Sequence, residues 1–289
     1  MSSITQFLLF GVLISGLYAL VAIGFTLIFG VGGILNLTHA TFVIIGAYTV
    51  FALHEMGVPL AITLLFAVVL VPTLFSIGVY YAVRPIQDDE IKTLIVTLML
   101  VLIAGEVILR FISSDPVSLP NFLPRSRAFV EIAGLRLQSI RVIGFVVSWL
   151  LIIGVWVFTR YTKVGTAVLA LSMDKKGARM VGINEHRIHL LVWVLSGILA
   201  SISGIFLTSF QGLNVNIGLD ALIISFAIVI FGGIGSIKGS VIGAYTLGLI
   251  ETGTTFFVDP ALRGVPSLLL IIVVLLIRPE GLYGREMVE

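Results

Sequence analysis

Apolar stretches of about twenty residues follow one another along nearly the whole chain, separated by short polar or glycine-rich joints. A run of that length crosses a hydrocarbon core of roughly 30 Å as a helix, and the ten-residue alternation typical of a membrane barrel does not occur. The pattern predicts spans near residues 4–30, 34–54, 59–83, 92–112, 142–160, 190–210, 219–235, 239–258 and 265–277, nine in all within a range of eight to ten. Two joints, Gly30 to Leu35 and Gly232 to Gly239, are marked by glycine rather than by charge, so each is either a tight turn or a broken helix. The fold class is therefore all-α, a polytopic transmembrane helical bundle forming a single domain over residues 1–289. The first run, Ile4 to Phe29, is longer than a signal-peptide core and has no Lys or Arg before it, so it is expected to remain as the first span.

The polar interruption richest in positive charge runs from Arg160 to His189, with Lys163, Lys175, Lys176, Arg179 and Arg187 against Asp174 and Glu185. The positive-inside rule places it in the cytoplasm. Counting outward from it puts 11 of the 17 Lys and Arg residues inside and leaves Asp115 to Arg141 outside. Within the interruption, Ala167 to Ala178 holds good helix formers without proline, and Gly182 follows as a stop, which predicts a short helix outside the membrane. That helix is either a docking element or a solvated connector that sets topology. On the other side, Pro116, Pro120 and Pro124 precede Phe129 to Leu137, which predicts a small hairpin, an ordinary connector or part of an external docking face.

Composition narrows the function classes. With 58% hydrophobic and 11% charged residues the chain is an integral membrane protein. The net charge of +2 sits in connecting loops where topology accounts for it, so nucleic acid is not implied. There is no cysteine, which removes disulfides, thiol catalysis and cysteine metal sites. No Walker A pattern, paired-histidine metal motif or nucleophile elbow occurs, so no enzyme activity, metal or cofactor is expected, and any ATP-driven step belongs to another subunit.

Part of the chain repeats. Gly16, Leu17, Ala19 and Leu20 recur as Gly218, Leu219, Ala221 and Leu222, and Ile28-Phe29-Gly30 as Ile230-Phe231-Gly232, all at an offset of 202 residues. Gly46-Ala47-Tyr48-Thr49 is matched by Gly243-Ala244-Tyr245-Thr246 after a shift of five. Internal duplication is what transporters with a site between pseudo-symmetric halves show. Small residues at four-residue spacing mark helix contacts in lipid. One row is Gly235, Gly239, Gly243; a second is Gly232, Ser236, Ser240, Ala244, Gly248; span six adds Ser196, Ala200, Gly204 and Thr208.

Polar side chains inside spans are costly and hence informative. Asn36, Thr38 and His39 cluster just after the Gly30–Gly33 break, where they either border a solute pathway or serve as caps and a satisfied buried histidine. Glu106 and Glu251 lie well inside apolar runs and are open to three roles: holding an ammonium group, relaying a proton, or pairing with a neighbour.

Four stretches together resemble the permease subunits of branched-chain amino acid ABC importers. They are Gly16 to Leu20 continuing through Gly24 and Gly30 to Asn36 and His39; Gly165, Ala167, Ala170, Asp174, Ala178 and Gly182-Ile183; Gly232 to Ser236 with Gly239, Gly243, Gly248 and Glu251; and Arg278-Pro279-Glu280-Gly281-Leu282. Ala40 stands where glycine is expected, and Thr166 and Leu169 stand where arginines are common, although Lys175, Lys176 and Arg179 keep the loop basic. The resemblance implies alternating access in a cell membrane, with residues 161–189 as the cytoplasmic coupling loop. It implies a second homologous permease in a heterodimer, two cytoplasmic ATPase subunits that bind the ATP, and an extracytoplasmic protein delivering leucine, isoleucine or valine. A urea or short-chain amide permease, a sugar permease, and an ion-coupled transporter using Glu106 or Glu251 are the alternatives.

Overall fold

The computed structural model describes residues 3–33, 35–112, 119, 129–132, 134–278 and 280–283. Its helices are α1 (Ser3–Gly32), α2 (His39–Glu55), α3 (Leu60–Leu65), α4 (Val71–Val83), α5 (Glu90–Phe111), α6 (Ser139–Tyr161), α7 (Lys163–Met173), α8 (Lys175–Met180), α9 (Glu185–Gln211), α10 (Asn216–Gly232), α11 (Ile237–Phe257) and α12 (Val265–Ile277). Every predicted apolar run becomes helix, so the chain is an all-α multi-pass membrane bundle. Five helical stretches among the described residues are long and apolar enough to cross a membrane, and a sixth arises if α10 and α11 count as one span bent by 119°.

The bundle is built around α1, whose centre is apolar on all sides. Leu17, Ala19, Leu20, Ala22, Ile23 and Phe25 are buried, and α11, α9, α6 and α10 surround them. The outer positions belong to the stretch 60–86, α5 and α12, whose apolar faces, such as Leu98, Met99, Leu102 and Ile103 of α5, are exposed as lipid-facing surfaces are. The hairpin appears as β1 (Phe129–Ile132) paired antiparallel with β2 (Leu135–Gln138), Ile132 opposite Leu135, and Gly134 at φ +74° closes the turn. Proline residues 116, 120 and 124 of the same loop lie outside the described residues.

Helices α3 and α4 are joined without a break by a π-turn, Phe66–Leu70. Pro72 stands at its exit, where a regular α-helix is disfavoured because the ring clashes with the carbonyl four residues back, and it has no N–H to offer the carbonyl five residues back. That carbonyl, on Ala67, instead accepts from Ser201 Oγ of α9 at 3.0 Å.

The glycine rows differ from the expected ones. Gly233 and Gly235 have φ of +100° and +76°, which ends α10 and turns the chain before Ser236 caps α11. Gly235 therefore lies in the turn, and neither row runs along one helix. The residues still serve close approach. A Cβ on Gly30 would stand 2.8 Å from Gly235 Cα, so the two breaks of the repeat touch. Gly232 meets Gly239 across the bend, Gly243 meets the Ile228 carbonyl, Gly248 meets Ser15, and Gly204 meets the Val43 carbonyl. The Phe25 ring lies 6.2 Å from Phe226, and further along both chains Gly30 meets Gly235, so α1 and α10 run in the same direction.

Candidate functional site

Polar groups gather at three levels along α1. At its C-terminal end is the 161–189 loop. Thr162 accepts from Gly165 N at 2.9 Å and starts α7. Instead of one helix from Ala167 to Ala178 there are two, α7 and α8, divided at Asp174, whose backbone is extended (φ −153°, ψ 104°). Aspartate favours caps over helix interiors, and its carbonyl accepts Ala178 N at 3.0 Å to open α8. Gly182, at φ +84°, ends α8 with Gly182 N donating to Arg179 O and Ile183 N to Ala178 O.

Ala167, Ala170, Asp174 and Ala178, which carry the resemblance to a coupling loop, do not face outward as a unit. Ala178 is 4% exposed, and Ala167 and Ala170 are half-buried against the chain's own core. Small side chains here let α7 and α8 lie close to the bundle. The outer face presents Met173, Asp174, Lys176, Met180 and Val181, with Met180 88% exposed. Two side chains tie the loop down. Arg179 Nε donates to Glu185 Oε2 at 2.5 Å, and this carboxylate holds the guanidinium above its ordinary pKa. Lys175 Nζ donates to the Gly32 carbonyl, the last of α1, at 2.7 Å.

At mid-height, the segment after Gly32 climbs back along α1, so α2 begins beside Val21, eleven residues from the helix end and about 16 Å up its axis. His39 Nε2 donates to the Val21 carbonyl at 3.1 Å, which fixes the proton on Nε2 and leaves Nδ1 to accept from Ser196 Oγ at 3.5 Å. Phe25 and Phe42 stand edge-on to the imidazole. Gly24 leaves room for this contact, since a Cβ there would lie 3.1 Å from the Ser196 carbonyl. Asn36 Oδ1 accepts from Thr38 N at 3.0 Å and from Thr38 Oγ1. Asn36 Nδ2 is buried without a partner among the described residues. The sequence cluster is thus a spatial one, broken from α1 as the glycines suggested, and its three side chains are fully buried.

Further along α1, Tyr18 OH accepts from Arg263 Nη2 at 3.2 Å, and the same nitrogen donates to Gln211 Oε1 at 2.9 Å. Glu251, 3% exposed, accepts from Gly264 N at 3.0 Å and from Ser267 Oγ at 2.5 Å, so its carboxylate caps the start of α12. Of the three roles open to Glu251, pairing with a neighbour is the one the geometry shows. Glu106 joins none of these groups. It is exposed on α5, and no hydrogen bond or ion pair links it to the described residues. Tyr18, Gln211 and Arg263 are not among the pathway residues the sequence suggests, and Ser196 is marked there only as a helix contact. Arg263 carries a sequence signal, a charge between two apolar runs. No group of three metal-ligating side chains occurs among the described residues.

The family model for the branched-chain amino acid transport system permease component matches residues 7–275. The high-affinity branched-chain amino acid transport system permease protein LivH of Escherichia coli (strain K12) is 31% identical, covering 96% of this chain and 95% of its own. The corresponding BraD protein of Pseudomonas aeruginosa is 32% identical over 98% of this chain and 97% of its own. The galactofuranose transporter permease protein YtfT of Escherichia coli (strain K12) is 28% identical over 91% of this chain and 76% of its own. No solved structure matches the chain.

Proposed function

The chain belongs to the branched-chain amino acid transport system permease family, and on that premise we propose that it is the membrane subunit of an ATP-driven importer of leucine, isoleucine or valine. Its partners in this reading are a second homologous permease, two cytoplasmic ATPase subunits bound at the 161–189 loop, and an external binding protein. The two permeases form a heterodimer in the cell membrane, and the ATP is held by the ATPases.

The observation that carries the reading is the link from Lys175 to the Gly32 carbonyl. A displacement of α8 by an ATPase reaches α1 through that contact, at the glycine break that leads to Asn36, Thr38 and His39. These residues belong to the moving part of the pathway in this reading, which opens to each side in turn as the α1 and α10 breaks slide against each other. Gly30 and Gly235 supply a contact without side chains for that movement. The packing glycines Gly232, Gly239, Gly243 and Gly248 keep α10 and α11 close enough to follow. The coupling surface, expected at Gly165, Ala167, Ala170, Asp174, Ala178 and Gly182, is assigned here to the exposed residues of the same loop, Met173, Asp174, Lys176, Met180 and Val181, with the others shaping it from beneath.

An ion-coupled mechanism through Glu251 conflicts with the two hydrogen bonds its carboxylate accepts. Sugar import is the second reading, favoured by the likeness to the galactofuranose permease. Proteoliposomes containing this chain, the second permease and the ATPases, supplied with a binding protein, should take up leucine only when ATP is inside the ATPase-facing compartment. Uptake driven by a proton gradient without ATP, or uptake of ribose in place of leucine, would overturn the proposal.

A further inference from the structure

Tyr18 is the sixteenth residue of a thirty-residue helix, so Arg263, bonded to it, reaches half-way into the bundle. Arg263 is nonetheless exposed. A charged group exposed at that depth does not face hydrocarbon without a large cost, so this face opens on water or on a polar occupant. Only Nη2 of the guanidinium is engaged, by Tyr18 and Gln211. Its Nε and Nη1 donors have no partner among the described residues; Glu251 is near enough for its charge to act on Arg263, but its oxygens are bonded to Gly264 and Ser267 and not to the guanidinium.

Asp220 lies on the first turns of α10, at the same depth, because its neighbour Gly218 packs on the carbonyl of Ala40, next to His39. Asp220 is exposed, makes no hydrogen bond or ion pair with the described residues, and is near enough for its charge to act on both Arg263 and Tyr18. Phe25 meets Phe226 about two turns further on along each helix, which sets Asp220 of α10 level with Tyr18 of α1, so the unbonded Nε and Nη1 of Arg263 and the unbonded Asp220 carboxylate offer opposite charges to a molecule that carries both. Beside Asp220 on α10, Leu219 and Ile223 are 41% and 36% exposed.

We propose that Arg263 and Asp220, flanked by Leu219 and Ile223, form the station at which this permease holds a zwitterionic aliphatic amino acid. Arg263 takes the carboxylate, oriented by Tyr18 and Gln211, while Asp220 takes the ammonium group and the two aliphatic side chains cover the substrate's own. This rests on the amino acid reading above and adds to it the residues that tell an amino acid from a sugar or an amide, neither of which carries both charges.

The test uses saturation-transfer NMR on the reconstituted transporter without binding protein, with leucine, leucinamide and 4-methylpentanoate as probes, beside ATP-driven leucine uptake. The wild type should favour leucine over both analogues. Arg263→Gln should remove the preference over leucinamide, Asp220→Asn the preference over 4-methylpentanoate, and each should lower leucine uptake about 10-fold or more. Arg263→Lys should restore part of the preference. An unchanged preference in both variants, no contact with any probe in a wild type that imports leucine, or an equal loss of all three probes with Arg263→Lys no better than Arg263→Gln would each overturn the station. A wild type that imports some other solute and not leucine would overturn the amino acid reading itself.

Discussion

Glu251 separates a structural carboxylate from a proton-carrying one, and two substitutions make the distinction quantitative. Glu251→Gln keeps one acceptor oxygen for Gly264 N, and the new amide NH2 can donate to Ser267 Oγ. What is lost is the negative charge at the start of α12, a helix-dipole interaction of about 0.3–1 kcal/mol, rising to ~2 where it is buried. Glu251→Leu removes both acceptors and leaves the buried Ser267 hydroxyl and the part-buried Gly264 N–H without them, at about 1–3 kcal/mol for the first and less for the second. Thermal unfolding of the purified complex in detergent should therefore fall slightly for Gln and steeply for Leu. ATP-driven uptake per folded transporter should be nearly that of wild type for Gln. If Glu251→Gln unfolds normally yet abolishes uptake, the carboxylate is titrating during transport and its role as a cap is refuted.

Lys175→Met should cut the bond to Gly32 while leaving the loop folded, so ATP hydrolysis should persist while leucine uptake per ATP falls several-fold; an unchanged ratio would remove this contact from the coupling route. Met180→Asp, on the exposed face of α8, should weaken co-purification of the ATPases without disturbing the melting temperature, whereas Ala178→Trp should lower the melting temperature because its site is filled by the chain's own core. Equal ATPase retention in both would return the loop to a solvated connector. Cysteines introduced at Lys176 and Glu131 should label with an impermeant thiol reagent from opposite sides, Glu131→Cys from outside; the reverse pattern would invert the topology.

The apolar runs were legible because their length alone marks them, and the two broken joints because glycine marks a backbone that leaves the helix. Which face of a helix meets its neighbours was not. In α1 the side chains at the centre are apolar all round, so no periodicity distinguishes Leu17 from Leu20, and a small-residue spacing says that something approaches closely without saying what. The alanines of α7 and α8 illustrate this, since they approach their own bundle rather than an outside partner. The Arg263–Tyr18 pair is 245 residues apart in the chain, and nothing local predicts such a meeting. Asn36, Thr38 and His39 were found because they are neighbours in both sequence and space.

The π-turn at Phe66–Leu70 holds one residue more than an α-helix of the same height, and so sets the angular phase of everything after it. Winding residues 66–70 as regular α-helix, with all five kept, would lengthen the span by about 1.5 Å and rotate α4 by about 100° about its axis. Ser76 would swing off Gly197, Tyr80 would leave His186, to whose Nδ1 its hydroxyl is bonded at 2.6 Å, and the Ala67 carbonyl would no longer meet Ser201. The turn therefore acts as a dial. A deletion of one residue there would be absorbed by loss of the turn, whereas a single insertion between the turn and Ser76, silent in hydropathy, would change which side chains α4 shows to α9 and which it shows to the lipid.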